Sequence, residues 1–361
     1  MKSLILSLLC ASSILSLTAH AAIEVEGRSY EVVDMHIHAG TVGDLNKTGK
    51  AFVVNVIPEF TRLYYPAIAN AAIDPYAPHV GSLAQLEWAG IDHGVLLATY
   101  THHTIGFLTN NALEDLLIQP GNVKEDAARW NWGLASINLD DFGDEAIAQR
   151  RTEVMATYFS QRPDLFIGIK LAHAHQRVPF DDPDLLQVYD VAATFGVPVL
   201  LHTGMTPYEG GRNQTDYYDP ISLESAIINY DGESGNPRVE FILSHIGLGD
   251  ARAVAHSLYL AEHYDNVWLE LSAIGRPIEI DINGDPIESS EPMYVSVLRD
   301  IKEKELVDRT IFASDGPQSS GTIRAYSQEL VQAMLDAGFT PDDLERVLAG
   351  NFYSCFFGER P

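Results

Sequence analysis

Eight short runs of aliphatic and β-branched residues recur along the chain, each followed by a segment of helical period. The runs cover 32–38, 94–100, 133–138, 165–171, 197–202, 239–245, 267–271 and 310–313. The helical segments cover 82–91, 110–130, 143–161, 184–195, 220–229, 249–263, 292–304 and 319–337. The runs are apolar almost throughout, as in strands of a parallel sheet buried on both faces. Eight such units without a linker predict a single (β/α)8 TIM barrel in preference to a doubly wound open sheet. Asp184 is placed to cap the helix that Gly196 ends, Gly338 to end the helix carrying Leu330 and Met334, and Thr340-Pro341-Asp342 to start another.

The first segment stands outside that pattern. Lys2, an apolar run to about Leu17 and Ala19-His20-Ala21 form a secretory signal peptide with cleavage expected after Ala21. The barrel domain is therefore expected to span 22–361 and to be periplasmic or secreted, with no membrane association after cleavage. Cleavage removes Cys10 and leaves Cys355 as the sole thiol, a buried and inert one in the apolar stretch 352–357, so a large core must hold the fold without a disulfide. With 50 acidic against 23 basic side chains, the net charge is −27. Such a surface repels nucleic acid and anionic lipid and excludes a nucleic-acid partner.

Chemistry is concentrated where the predicted strands end. Asp34-Met35-His36-Ile37-His38 puts two imidazoles on one strand face, half of a site for zinc or a similar divalent ion. Lys170, His202, His245 and Asp315 then close or follow four further apolar runs. A titratable group at such a place is costly without a partner, and five strands each ending in one point to a shared site. The connections 39–81, 101–131 and 272–291 are too long to be turns and leave the same C-terminal strand ends, so they are expected to form a lid over the barrel mouth. In the last, Asn283-Gly284 between strand-like residues reads as a β-hairpin flap, better than the calcium loop its Asp281, Asn283 and Asp285 superficially suggest.

The stretches Val33-Asp34-Met35-His36-Ile37-His38, Gly168-Ile169-Lys170-Leu171, Val199-Leu200-Leu201-His202-Thr203-Gly204, Leu243-Ser244-His245-Ile246-Gly247, Phe312-Ala313-Ser314-Asp315-Gly316-Pro317 and Gly350-Asn351-Phe352 resemble, in order, the amidohydrolase-2 branch of the amidohydrolase superfamily. The resemblance implies that His36 and His38 bind a metal and that Asp315 is both ligand and proton acceptor. In single-metal members His202 ligates and His245 assists catalysis; in two-metal members both bind the second ion, and Lys170 matches a carboxylated lysine bridging the pair. Zinc is the expected metal, with two ions if Lys170 is carboxylated and one if it is not. Asp34 falls to the barrel interior or to holding a ligating imidazole.

The implied activity is metal-assisted hydrolysis of a small lactone, amide or ester. A non-oxidative decarboxylase or hydratase of a carboxylated substrate, and a non-catalytic periplasmic metal-binding protein, are the competing readings. Arg276 is the preferred anchor for a substrate carboxylate, ahead of Arg62, Arg177 and Arg212. His102, His103, His173 and His175 are placed to overlook the mouth, His102 and His173 being expected with Arg276 to bind substrate, and Tyr64, Tyr65, Tyr208, Tyr217 and Tyr218 to wall a pocket or pack a lid. The expected partner is a small-molecule substrate, with homo-oligomerisation open.

Overall fold

A computed structural model describes residues 23–40, 42–56, 82–124, 129–274, 293–316 and 322–358. The signal peptide, Arg62, Tyr64, Tyr65, Arg276 and the flap at 279–288 lie outside the described residues. Eight parallel strands form one sheet in chain order: β1 (Val33–His38), β2 (His93–Leu97), β3 (Asn131–Ser136), β4 (Phe166–Leu171), β5 (Val199–Gly204), β6 (Phe241–Leu248), β7 (Val267–Glu270) and β8 (Thr310–Ile311). The sheet curls until β1 meets the chain just after β8. The His38 amide donates to the Gly316 carbonyl at 2.7 Å, and Met35 to Phe312 at 3.4 Å. All eight expected strands are present in a nearly closed TIM barrel.

Side chains two apart on a strand share a face, and this parity builds the interior. Leu200, Ile242 and Ile311 are fully buried within the barrel, together with Val33, Met35, Val95 and Leu97. The C-terminal helix Asn351–Phe357 presents Phe352, Tyr353 and Phe356 to the same cluster. Asn351 holds that helix to the barrel by donating to the carbonyls of Val307 and Thr310, both at 2.7 Å. One pleat further along the inner face lie His202, Ser244 and Glu270, directly opposite one another across β5, β6 and β7. The apolar layers thus end where the polar one begins.

The helices follow their caps, with two departures. Asp144 and Asp250 accept the first amides of Glu145–Gln161 and Ala251–His263, and Thr340 with Asp343 forms a capping box. The helix expected over 110–130 stops at Leu117, and Pro120-Gly121 begin a short 3-10 turn instead. Asp182, not Asp184, caps the turn Pro183–Leu185 that precedes helix Leu186–Phe195. Two of the long connections contain structure of their own: helix Lys47–Val56 after β1, and an antiparallel hairpin, Thr99–Thr101 with Gly106–Leu108, after β2. Cys355 is buried, and burial pushes its thiol well above the ordinary range.

Candidate active site

The ends of β1, β4, β5, β6 and β8 carry His36, His38, Lys170, His202, His245 and Asp315 into one cluster. The Asp315 Oδ1 lies 3.0 Å from the His38 Nε2 and 3.4 Å from the His36 Nε2. The His36 and His245 rings stand 5.1 Å apart, and His245 stands 4.8 Å from His202. Lys170 donates to the Ser244 Oγ at 3.1 Å. His36, Lys170, His202 and His245 are buried, whereas the His38 and Asp315 side chains keep 42% and 22% of their surface exposed, so the cluster opens on their side.

The local backbone is bent to achieve this. The β5–β6 register shifts after Ser244. Thr203 bridges the irregularity, its hydroxyl donating to the Ser244 carbonyl at 2.6 Å and accepting from the Gly247 amide at 2.9 Å. His245 and Asp315 both sit in the left-handed region, at φ of 65° and 59°, where non-glycine residues cost free energy and are held by their surroundings. Gly204, at φ +91°, lets the strands approach: a Cβ there would lie 2.3 Å from the Leu248 carbonyl oxygen. Asp34 clips the two halves of the cluster together. Its Oδ1 accepts from the His36 amide at 3.2 Å and from the Ser314 amide at 3.0 Å, and burial pushes its pKa up to about 7.

Two residues that the sequence reading passed over organise the imidazoles. Glu270, fully buried, accepts from the Ser272 hydroxyl and amide, both at 2.9 Å, and from the His245 amide at 3.2 Å. The Ser272 Oγ in turn faces the Nδ1 of His245 at 2.8 Å and of His36 at 3.3 Å. A hydroxyl has one proton and two lone pairs. With the proton donated to Glu270, both imidazoles must donate through Nδ1. The Ser272 carbonyl, 3.1 Å from the His245 Nδ1, demands the same tautomer. Both Nε2 atoms are thereby left with lone pairs. Glu270 is a polar residue at the end of an apolar run, the same signal that marked His202 and His245.

His175 obeys the same logic. Thr104 gives its hydroxyl proton to the Thr101 carbonyl at 3.0 Å, so it accepts from the His175 Nδ1 at 2.8 Å, and the His175 ring packs 4.7 Å from His202. His173 is placed elsewhere: buried, 4.2 Å from the Phe180 ring, with Nδ1 on the Val178 carbonyl at 3.0 Å. His102 and His103 pair with Asp140 rather than with the central cluster. Tyr218 donates to Asp250 at 2.6 Å, and the Tyr208 ring lies 5.9 Å from His175.

Burial is the largest influence on the site histidines and keeps them neutral: His245 is lowered to about 4 and His175 to about 3, with His36 and His202 also well below their ordinary value. Burial lowers Lys170 to about 8, against the pull of Glu270 and Asp315. Burial alone would raise Asp315, but the hydrogen bond from His38 and the neighbouring imidazoles hold it well below the usual carboxylate range. Neutral imidazoles and an ionised carboxylate are the protonation states that metal ligation requires.

The donor set fits a divalent ion. The buried His202 Nε2 has no hydrogen-bond partner. Donors about 2.1 Å from a tetrahedral ion stand about 3.4 Å apart, close to the 3.0 and 3.4 Å separating the Asp315 Oδ1 from His38 and His36. His36, His245 and Asp315 also offer ligand atoms that all lie within 4.8 Å of one another.

Fold and site together are thus a nearly closed TIM barrel with imidazoles, a lysine and a carboxylate gathered at the C-terminal mouth, where barrel enzymes carry their active sites. A family model described as amidohydrolase matches residues 33–351, and the chain belongs to that family, in its amidohydrolase-2 branch. No curated protein matches the chain significantly. Similar solved structures include an uncharacterised TIM-barrel protein from Bordetella bronchiseptica, 14% identical, covering 90% of this chain and 98% of that one at a TM-score of 0.61. A probable 2-pyrone-4,6-dicarboxylic acid hydrolase from Acinetobacter baumannii, solved with citric acid, is 15% identical over 90% and 99% of the two chains at 0.56. A dihydroxybenzoic acid decarboxylase from a Polaromonas species, solved with manganese and 2-nitroresorcinol, is 13% identical over 92% and 98% at 0.55.

Proposed function

We propose that the chain is an exported metal-dependent hydrolase of a small lactone, amide or ester bearing a carboxylate. The observation that carries this reading is the placement of Asp315. Its Oδ1 sits between the Nε2 atoms of His36 and His38, while part of the side chain faces the open mouth. His36, His38, Asp315 and His202 would hold the ion, zinc or manganese. Such an ion acidifies water and polarises a carbonyl. Asp315 accepts the proton of the attacking water and returns it to the leaving oxygen or nitrogen. His245, neutral and already donating through Nδ1, presents Nε2 only as an acceptor, so it serves as a ligand or a base and not as a donor to the carbonyl. Lys170 is mostly charged at neutral pH and can draw in a substrate carboxylate. Burial lowers its pKa to about 8, which eases the deprotonation that carboxylation by carbon dioxide requires, and a carboxylated Lys170 would be a ligand for a second ion.

Decarboxylation of a carboxylated substrate is the second reading. It is favoured by the charged Lys170 beside the proposed ligands and is the reaction named for the Polaromonas protein. Turnover of a panel of lactones, esters, amides and hydroxybenzoates by metal-saturated enzyme separates the two. Hydrolysis predicts ring opening or cleavage, reduced about 10²–10⁴-fold in Asp315→Asn at full metal saturation. Release of carbon dioxide from hydroxybenzoates without any hydrolysis would replace this reading with the second. Export predicts a mature N-terminus at Ala22 in intact-mass measurement of periplasmic protein; an uncleaved cytoplasmic chain would contradict it.

A further inference from the structure

A second cluster of metal-ligating side chains lies on the rim, sharing no residue with the central one. His102 and His103 are consecutive, at the tip of the Thr99–Thr101/Gly106–Leu108 hairpin, and adjacent side chains in a turn need not point the same way. Here both rings do, with centroids 4.2 Å apart and planes 43° apart. Both Nε2 atoms converge on one carboxylate: His102 at 2.6 Å from the Asp140 Oδ2, and His103 at 2.7 Å from the Oδ1.

The surroundings fix that convergence. The Thr101 hydroxyl donates to the Gly106 carbonyl at 2.8 Å, and the Thr104 and Ile105 amides donate to Thr101 at 2.9 Å, tying the turn. Asn46 holds the His102 carbonyl at 3.1 Å. On the opposite side Asn138 accepts the Asp140 amide at 2.9 Å, and Arg151 is spent on the carbonyls of Asn138 and Asp140, so its charge does not pair with the carboxylate. The two histidines and Asp140 are a quarter to a third exposed, which leaves room for water and a route for an ion.

We infer that His102, His103 and Asp140 form a rim site for a first-row divalent cation such as zinc, separate from the barrel-centre site. Two imidazoles and a carboxylate match the donor types of open three-ligand sites, with water completing the coordination. The three ligand atoms lie within 4.8 Å of one another. To hold the ion, the 2.6 and 2.7 Å hydrogen bonds would open to the roughly 3.4 Å edge of a tetrahedral site. Each imidazole must then carry its proton on Nδ1, an exchange that its solvent exposure permits. An ion there staples the loop after β2 to the loop after β3. It also steadies Thr104, the residue next to His103, which accepts from His175 beside His202. The rim site thus bears on the wall of the central pocket.

The test is zinc stoichiometry and affinity on full-length mature protein, stripped with chelator and titrated with zinc against a chromophoric chelator. Wild type is expected to bind one equivalent more than Asp140→Asn. That extra equivalent should persist in Asp315→Asn and weaken at least tenfold in His102→Ala. The double variant His102→Gln, His103→Gln keeps side-chain donors toward Asp140 and is the reserve should a single variant fail to fold; it is expected to lack the same equivalent. Identical titrations for wild type and the rim variants, or loss of the extra equivalent in Asp315→Asn, would overturn the rim site. Neither result depends on whether the central site hydrolyses anything.

Discussion

Single side chains set the proton bookkeeping of the central cluster, and Ser272 is where it is most exposed to test. Its hydroxyl accepts from the Nδ1 of His36 and His245 while donating to Glu270. Ser272→Ala should leave the fold intact, because the serine backbone still serves Glu270 and the His245 Nδ1. Without the shared hydroxyl, His36 loses the partner that fixes its tautomer, and metal affinity should fall about 10–100-fold. Competition titration with a chelator measures this, and unchanged affinity would show that the hydroxyl does not orient the ring. This layer was only partly legible in the sequence. His36, His38, Lys170, His202, His245 and Asp315 announce themselves as polar residues ending apolar runs. Glu270 does so too but is followed by Leu271, which reads as continued strand, and Ser272 lies beyond the run. Which ring nitrogen carries a proton depends on partners up to 236 residues away, and no local pattern encodes that.

At the scale of elements, the decisive feature is the bend after Ser244, which turns a regular strand into a mount for His245. Thr203 is the bracket, and Thr203→Val keeps its shape while removing both hydrogen bonds. The Ser244 carbonyl and Gly247 amide are then left without this partner in a buried place, at a cost of about 1–3 kcal/mol each. Urea denaturation should show a loss of that order together with weaker metal binding, and wild-type stability would contradict the bracketing role. All eight strands were readable because buried parallel strands are apolar on both faces. Their ends were less so. The run at 310–313 forms a two-residue strand, since beyond Ile311 the chain turns its hydrogen bonds to β1 and to Val347. The helix expected to 130 yields to Pro120 because a proline there supplies no amide. The hairpin holding His102 and His103 is hidden in a segment whose register depends on contact with Asn46 and Asp140.

For the molecule as a whole, the buried histidines make stability a function of pH. His36, His173, His175, His202 and His245 are all lowered by burial, His173 and His245 to about 4 and His175 to about 3. A histidine whose folded pKa is depressed contributes stability above its unfolded value of about 6.5 and loses it as pH falls toward the folded one, at about 1.4 kcal/mol per pH unit. Asp34 and Glu270, raised by burial, run the other way and regain stability on acidification. The histidines outnumber them, so metal-free protein should lose stability from pH 6.5 to 5 in urea titrations; constant or rising stability would contradict neutral burial of the cluster. The barrel therefore holds an array of neutral imidazoles around the ionised Asp315, in a chain of −27 formal charge, an arrangement suited to a cation. The most direct measurement is anomalous diffraction from crystals grown with zinc or manganese. A peak is expected within coordination distance of the His36, His38 and His202 Nε2 atoms and an Asp315 oxygen. Ordered side chains at that point with no peak would contradict it.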